Sequence, residues 1–86
     1  MEKIDSVLAE RGNRYGSFAD NAKATHIAYE LFIHDDMPYE IKEATHMILH
    51  KLARSRYGDC MHADNFVDIA GYATLVAKWI EEQNGS

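Results

Sequence analysis

The sequence predicts an all-α chain on three observations: one proline in 86 residues, five glycines, and long runs of alanine, leucine, isoleucine and methionine without the turns a sheet needs. At this length it is a single domain, residues 1–86, near the size where one core barely offsets the entropy of folding. Disulfides cannot reinforce it, because Cys60 is the only cysteine. Partner subunits or a bound ion remain as reinforcement.

Four helices follow in order. The first covers about residues 2–11 and is expected to stop at Gly12-Asn13, with Arg14-Tyr15-Gly16 as the link. Ser17 stands at an N-cap position with Asp20 three residues on, and the second helix runs over 17–33 to His34-Asp35-Asp36. Pro38, as first helical residue, opens the third over 38–57, which ends at Gly58-Asp59. The fourth covers 63–82, ahead of a tail, Gln83-Asn84-Gly85-Ser86, expected to fray.

In the third helix Ile41, Ala44, Ile48 and Leu52 share one face, which makes it amphipathic. The fourth is apolar nearly all round, with Phe66, Ile69, Ala70, Ala73, Val76 and Ile80 on one stripe and Val67, Tyr72, Leu75 and Trp79 covering much of the rest. Such a helix should pack against its own domain and a second copy. The expected architecture is therefore a bundle of about four helices completed as a homodimer or homotetramer, with Tyr72 and Trp79 in the core or the interface.

The net charge is -5, with nine basic residues thinly spread, which argues against a protein that grips polymeric nucleic acid through its phosphates. The start, Met1-Glu2-Lys3-Ile4-Asp5, is charged, and no stretch reaches the ~20 apolar residues that span a bilayer. The expected location is the cytoplasm, that of the host cell if the chain is phage-encoded.

Chemistry is concentrated in carboxylates. Glu40 and Glu43 are spaced i, i+3 on the third helix, and Asp64 and Asp68 i, i+4 on the fourth. In an antiparallel hairpin Glu43 lies about two and a half turns further from the turn than Asp68, so convergence needs a tilt or stagger. Converged, the four would suit Mg²⁺, which takes hard oxygen ligands and keeps waters a phosphate can replace. The structural alternative makes Glu40 and Glu43 helix-start residues favoured by the macrodipole and Asp64 a cap. Asp68 differs, because an unpaired carboxylate inside an apolar helix is costly. It demands a basic partner, Lys51 or Arg54, or a metal. Gly71, three residues on, costs about 1 kcal/mol in a helix interior and points to the close approach of another helix or a ligand.

Lys51 and Arg54, with His50, either neutralise phosphates or pair within their helix. Arg11, Arg14 and Tyr15 on the first link suit a phosphate and a stacked base, or a ring tucked over the bundle. His46 and His50, with His62, have the spacing of a transition-metal grip, but no glutamate follows His46 and one cysteine makes no zinc set.

The segment Glu40-x-x-Glu43, followed 25 residues later by Asp68 and by Ile69-Ala70-Gly71-Tyr72-Ala73, resembles the MazG-like all-α nucleoside triphosphate pyrophosphohydrolases. More closely, Glu10-Arg11-Gly12, Arg14-Tyr15-Gly16, Phe18, Met47-Ile48-x-x-Lys51-x-x-Arg54 and Asp64 with Asp68-Ile69-Ala70-Gly71-Tyr72 look like a family of small phage and prophage proteins of unknown function related to that group. The resemblance implies Glu40, Glu43 and Asp68 as catalytic Mg²⁺ ligands with Asp64 completing the set. It implies release of pyrophosphate from ribo- or deoxyribonucleoside triphosphates, and in that reading Lys51, Arg54, Arg14, Tyr15 and His50 are the candidates for contact with the substrate. Asn65 departs from the pattern by standing where its third glutamate belongs. The alternative is a catalytically silent phage protein that blocks a host protein or sequesters a nucleotide.

Overall fold

The computed structural model describes residues 2–85, and of Glu2 the backbone alone; Met1 and the Ser86 of the expected frayed tail lie outside them. The chain is all-α, in the order α1 (Glu2–Tyr15), α2 (Phe18–Phe32), α3 (Tyr39–Tyr57) and α4 (Asp64–Gln83). Three of the four helices lie within a residue or two of their expected bounds.

The exception is α1, which does not stop at Gly12-Asn13 but runs on to Tyr15. Glycine ends a helix by turning left-handed, and the residue that does so is Gly16, at φ 86°, its N–H donating to Gly12 O at 2.9 Å. Ser17 caps α2 as expected, accepting from the Asp20 N–H at 3.3 Å. Pro38 falls one residue earlier than expected, at the N-cap of α3. Asp64 is not the cap of α4; that position is Ala63, which supplies no side-chain hydrogen bond, and Asp64 is the first helical residue.

Helix α3 is the centre, with α1, α2 and α4 each packed on it. The corner between α1 and α2 locks onto the end of α3 by backbone contact. Asp59 N–H donates to Arg14 O at 2.8 Å, and Gly58 is pressed so closely on Arg14 and Tyr15 that a Cβ there would overlap their backbones. Asn21, 6% exposed, braces the same corner, its Nδ2 donating to Tyr15 O at 2.7 Å and Ser17 O at 2.8 Å.

Around α3 the core is thin. Ala44 and Ala53 are its buried apolar residues, while Leu8, Leu31, Phe32, Val67 and Leu75 are all more than half exposed. The radius of gyration, 15.2 Å, exceeds the roughly 12 Å expected of a closed domain this long, and the body measures 52 × 24 × 23 Å.

Candidate functional site

Asp68 has the partner its position demanded. Lys51 Nζ lies 2.8 Å from Asp68 Oδ2, with the lysine side chain largely covered and the aspartate about half exposed. The hydrogen bond and charge of Lys51 hold the Asp68 carboxyl below the usual aspartate range; slight desolvation opposes this, and Arg54 and His62 reinforce it. Of the two answers the sequence left open for Asp68, a basic partner or a metal, the chain supplies the first.

That ion pair also fixes the register of the antiparallel α3/α4 hairpin. Glu43 precedes Lys51 by eight residues, about 12 Å of helix at ~1.5 Å per residue, and Glu40 lies a further turn away. Accordingly Glu40 and Glu43 flank a groove walled by Tyr72, Leu75, Val76 and Trp79, on the far part of α4 from Asp68. Asp64 stays at the other end, its Oδ2 3.7 Å from His62 Nε2. Among the described residues no three histidine, cysteine, aspartate or glutamate side chains gather as a cation site. Within one chain the four carboxylates therefore do not fit Mg²⁺ as a set, because the hairpin register spreads them along α3 and α4.

The remaining candidates do not make a metal grip either. His46 sits 3.7 Å from Glu43 Oε1 and packs against the rings of Tyr29 and His26. His62 meets the ring of Tyr15 edge-on at 5.6 Å. Asn65 is 2% exposed, so the position where the MazG-like pattern carries a glutamate is closed to solvent in this chain.

What the fold does assemble is a basic cleft. Where α1 crosses the end of α3, Arg11, Arg14, Tyr15 and Arg54 line one hollow together with Glu10, whose Oε1 is 3.9 Å from Arg14. Three of the four arginines of an acidic chain thus meet at one place. The guanidinium of Arg54 lies 4.3 Å from the centroid of the Tyr15 ring, so one face of that ring is taken by Arg54.

The hollow continues as a cleft of about 440 Å³ past Leu8, Phe18, Asn21 and His50. A further groove between α2 and α3 adds Thr25, His26 and Met47. His50 titrates below the usual histidine range, first from partial burial and then from the charges of Arg54, Lys51 and His46.

Sequence reasoning overlooked two residues here. Asn21 Oδ1 and Thr25 Oγ1 are buried without hydrogen-bond partners along this groove. Because both Asn21 amide hydrogens are engaged by Tyr15 O and Ser17 O, its oxygen is held as a fixed acceptor. The signal was their i, i+4 spacing, which places two polar side chains on one face of α2.

A helical body that carries a basic cleft between α1, α2 and α3 defines a small all-α module. Residues 1–80 match the family described as Domain of unknown function (DUF6378), and the chain belongs to that family. It is 36% identical over 76 residues to the "Gene 55 protein" of Mycobacterium phage D29, covering 88% of this chain and 49% of that protein. The chain therefore spans about half the length of this curated relative, and the expected likeness to phage proteins of unknown function is borne out. No solved structure matches. Among the described residues no helix is long and apolar enough to cross a membrane.

Proposed function

We propose that this chain is a catalytically silent nucleotide-binding protein of phage type, which holds a nucleoside triphosphate in the cleft between α1, α2 and α3. The observation that carries this reading is the gathering of Arg11, Arg14 and Arg54 on one cleft in a chain of net charge -5. Guanidinium groups match phosphate oxygens in pairs, and a cleft focuses their field against an acidic background. Beyond the arginines the cleft turns apolar and aromatic at Leu8 and Phe18, with hydrogen-bonding groups on Asn21 and His50. Phosphates at one end and a base at the other suit that sequence of surfaces.

The likeness to MazG-like pyrophosphohydrolases supplies the rival reading, in which Glu40, Glu43, Asp64 and Asp68 hold Mg²⁺ and activate water. Against it stand the neutralisation of Asp68 by Lys51 and the spread of the other carboxylates along the hairpin. Calorimetry with ribo- and deoxyribonucleoside triphosphates, run with and without Mg²⁺ beside a pyrophosphate-release assay, separates the two. Binding that survives chelation of Mg²⁺, is lost in Arg54→Ala and yields no pyrophosphate supports the binding protein. Mg²⁺-dependent pyrophosphate release that disappears in Glu43→Ala establishes the hydrolase.

A further inference from the structure

Among the described residues the outer face of α4 has no partner, and its chemistry is uniform. From Phe66 to Ala77 the helix carries one charge, Asp68, and that is engaged by Lys51. Phe66, Val67, Ala70, Gly71, Thr74 and Ala77 are all exposed. The Thr74 hydroxyl donates back to Ala70 O at 2.8 Å, which leaves its methyl group as the outward chemistry. Gly71, whose place in a helix interior calls for a close neighbour, has none: among the described residues, a Cβ added there would meet nothing within 4 Å beyond its own helix backbone. The outer faces of α1 and α2 lack this character, being interrupted by Lys3, Asp5, Lys23 and Glu30.

The area of the chain says how much must be covered. A folded monomer of 9.8 kDa exposes about 5,200 Å² by the usual scaling with mass, whereas this chain exposes 6449 Å². The surplus is on the order of 1,200 Å² per chain, and two chains withdrawing it would bury roughly 2,500 Å², within the range of obligate homodimers.

We infer that the outer face of α4 is the interface with a second copy of this chain. A two-fold dimer places the same patch on both sides, and an uncharged patch of small residues is its own best complement, since helix axes can approach closely across alanine, glycine and threonine. Ala70 lies at the centre of the contact, with Gly71 beside it. The interface is remote from the basic cleft, so it stands whether or not the cleft binds nucleotide.

Sedimentation of the full chain and of Ala70→Arg tests this. On an exposed helix surface that substitution is nearly neutral, because arginine and alanine have similar helix propensities. At the centre of a dry interface it buries an unpaired charge. The expected result is a wild-type mass of twice 9.8 kDa and an Ala70→Arg chain that sediments as a monomer with lowered thermal stability. If Ala70→Arg fails to fold, Ala70→Cys in a Cys60→Ser background is the second test. Its oxidation to a disulfide-linked dimer supports the proposal, and its failure to cross-link overturns it. A wild-type chain that is monomeric at every concentration, or a dimer that Ala70→Arg leaves intact, also overturns it.

Discussion

Replacing Gly58 by alanine is expected to cost stability although it adds one methyl group. The added Cβ would overlap Arg14 O and the Tyr15 backbone, where ordinary carbon contacts stand ~3.5–4.0 Å apart. All three nearest atoms are backbone, so no side chain can swing aside. Either the end of α1 lifts away from α3, losing the 2.8 Å hydrogen bond from Asp59 N–H to Arg14 O, or the turn distorts. Overpacking of this kind costs about 1–3 kcal/mol, and the rigid neighbours argue for the upper half. For a domain of this size each kcal/mol moves the midpoint by about 4–8 °C, so a fall of roughly 8–24 °C is expected. Gly12→Ala is the matched control. It lies inside α1, where an added Cβ would meet nothing within 4 Å among the described residues, and should gain about 0.5–1 kcal/mol from helix propensity alone. Thermal melts followed by circular dichroism read both. A Gly58→Ala chain as stable as wild type would refute the locked corner on which the cleft depends.

Further outcomes follow from the same contacts. Lys51→Met should return the Asp68 carboxyl towards its ordinary range, visible as an upward shift of its titration by NMR; an unmoved titration would mean that Lys51 is not what holds it down. Acid should weaken the fold in two stages. His50 and Asp68 both titrate lower in the folded chain than in the unfolded one, so the folded state binds fewer protons. Their contributions are present above the ordinary values of 6.5 and 3.8 and are lost as pH falls through the depressed ones. Urea midpoints that are flat from neutral pH to below 6.5 would contradict the first stage. Asn21→Ala removes the brace at Tyr15 O and Ser17 O, two bonds worth about 0.5–1.5 kcal/mol each, and should lower the urea midpoint; an unchanged midpoint would show the corner holds without it.

The helices were legible because their punctuation is local: Ser17, Pro38 and Gly58 act within a few residues of themselves. The end of α1 was misread because Gly12 and Gly16 are equally plausible stops in sequence, and the choice is made by tertiary contact, where Gly16 packs against Tyr57. The need of Asp68 for a partner was legible from the cost of an unpaired charge, and Lys51 was among the partners named. That an unstaggered hairpin keeps Glu43 away from Asp68 was legible from their distances to the turn; whether a stagger closes the gap was not, since spacing along a chain does not say how two helices slide. Arg11 and Arg14 lie some 40 residues from Arg54, so their meeting depends on the fold. Asn21 and Thr25 escaped notice because two small polar residues on a helix carry no motif.

The central claim is that the basic cleft, and not the carboxylates, is the working site. The measurement closest to it is calorimetric titration of deoxyribonucleoside triphosphates into the wild-type chain with Mg²⁺ chelated, repeated for Arg54→Ala and Glu43→Ala. Saturable binding that Glu43→Ala retains and Arg54→Ala loses is the predicted result. Binding that appears only with Mg²⁺ and vanishes in Glu43→Ala would contradict it.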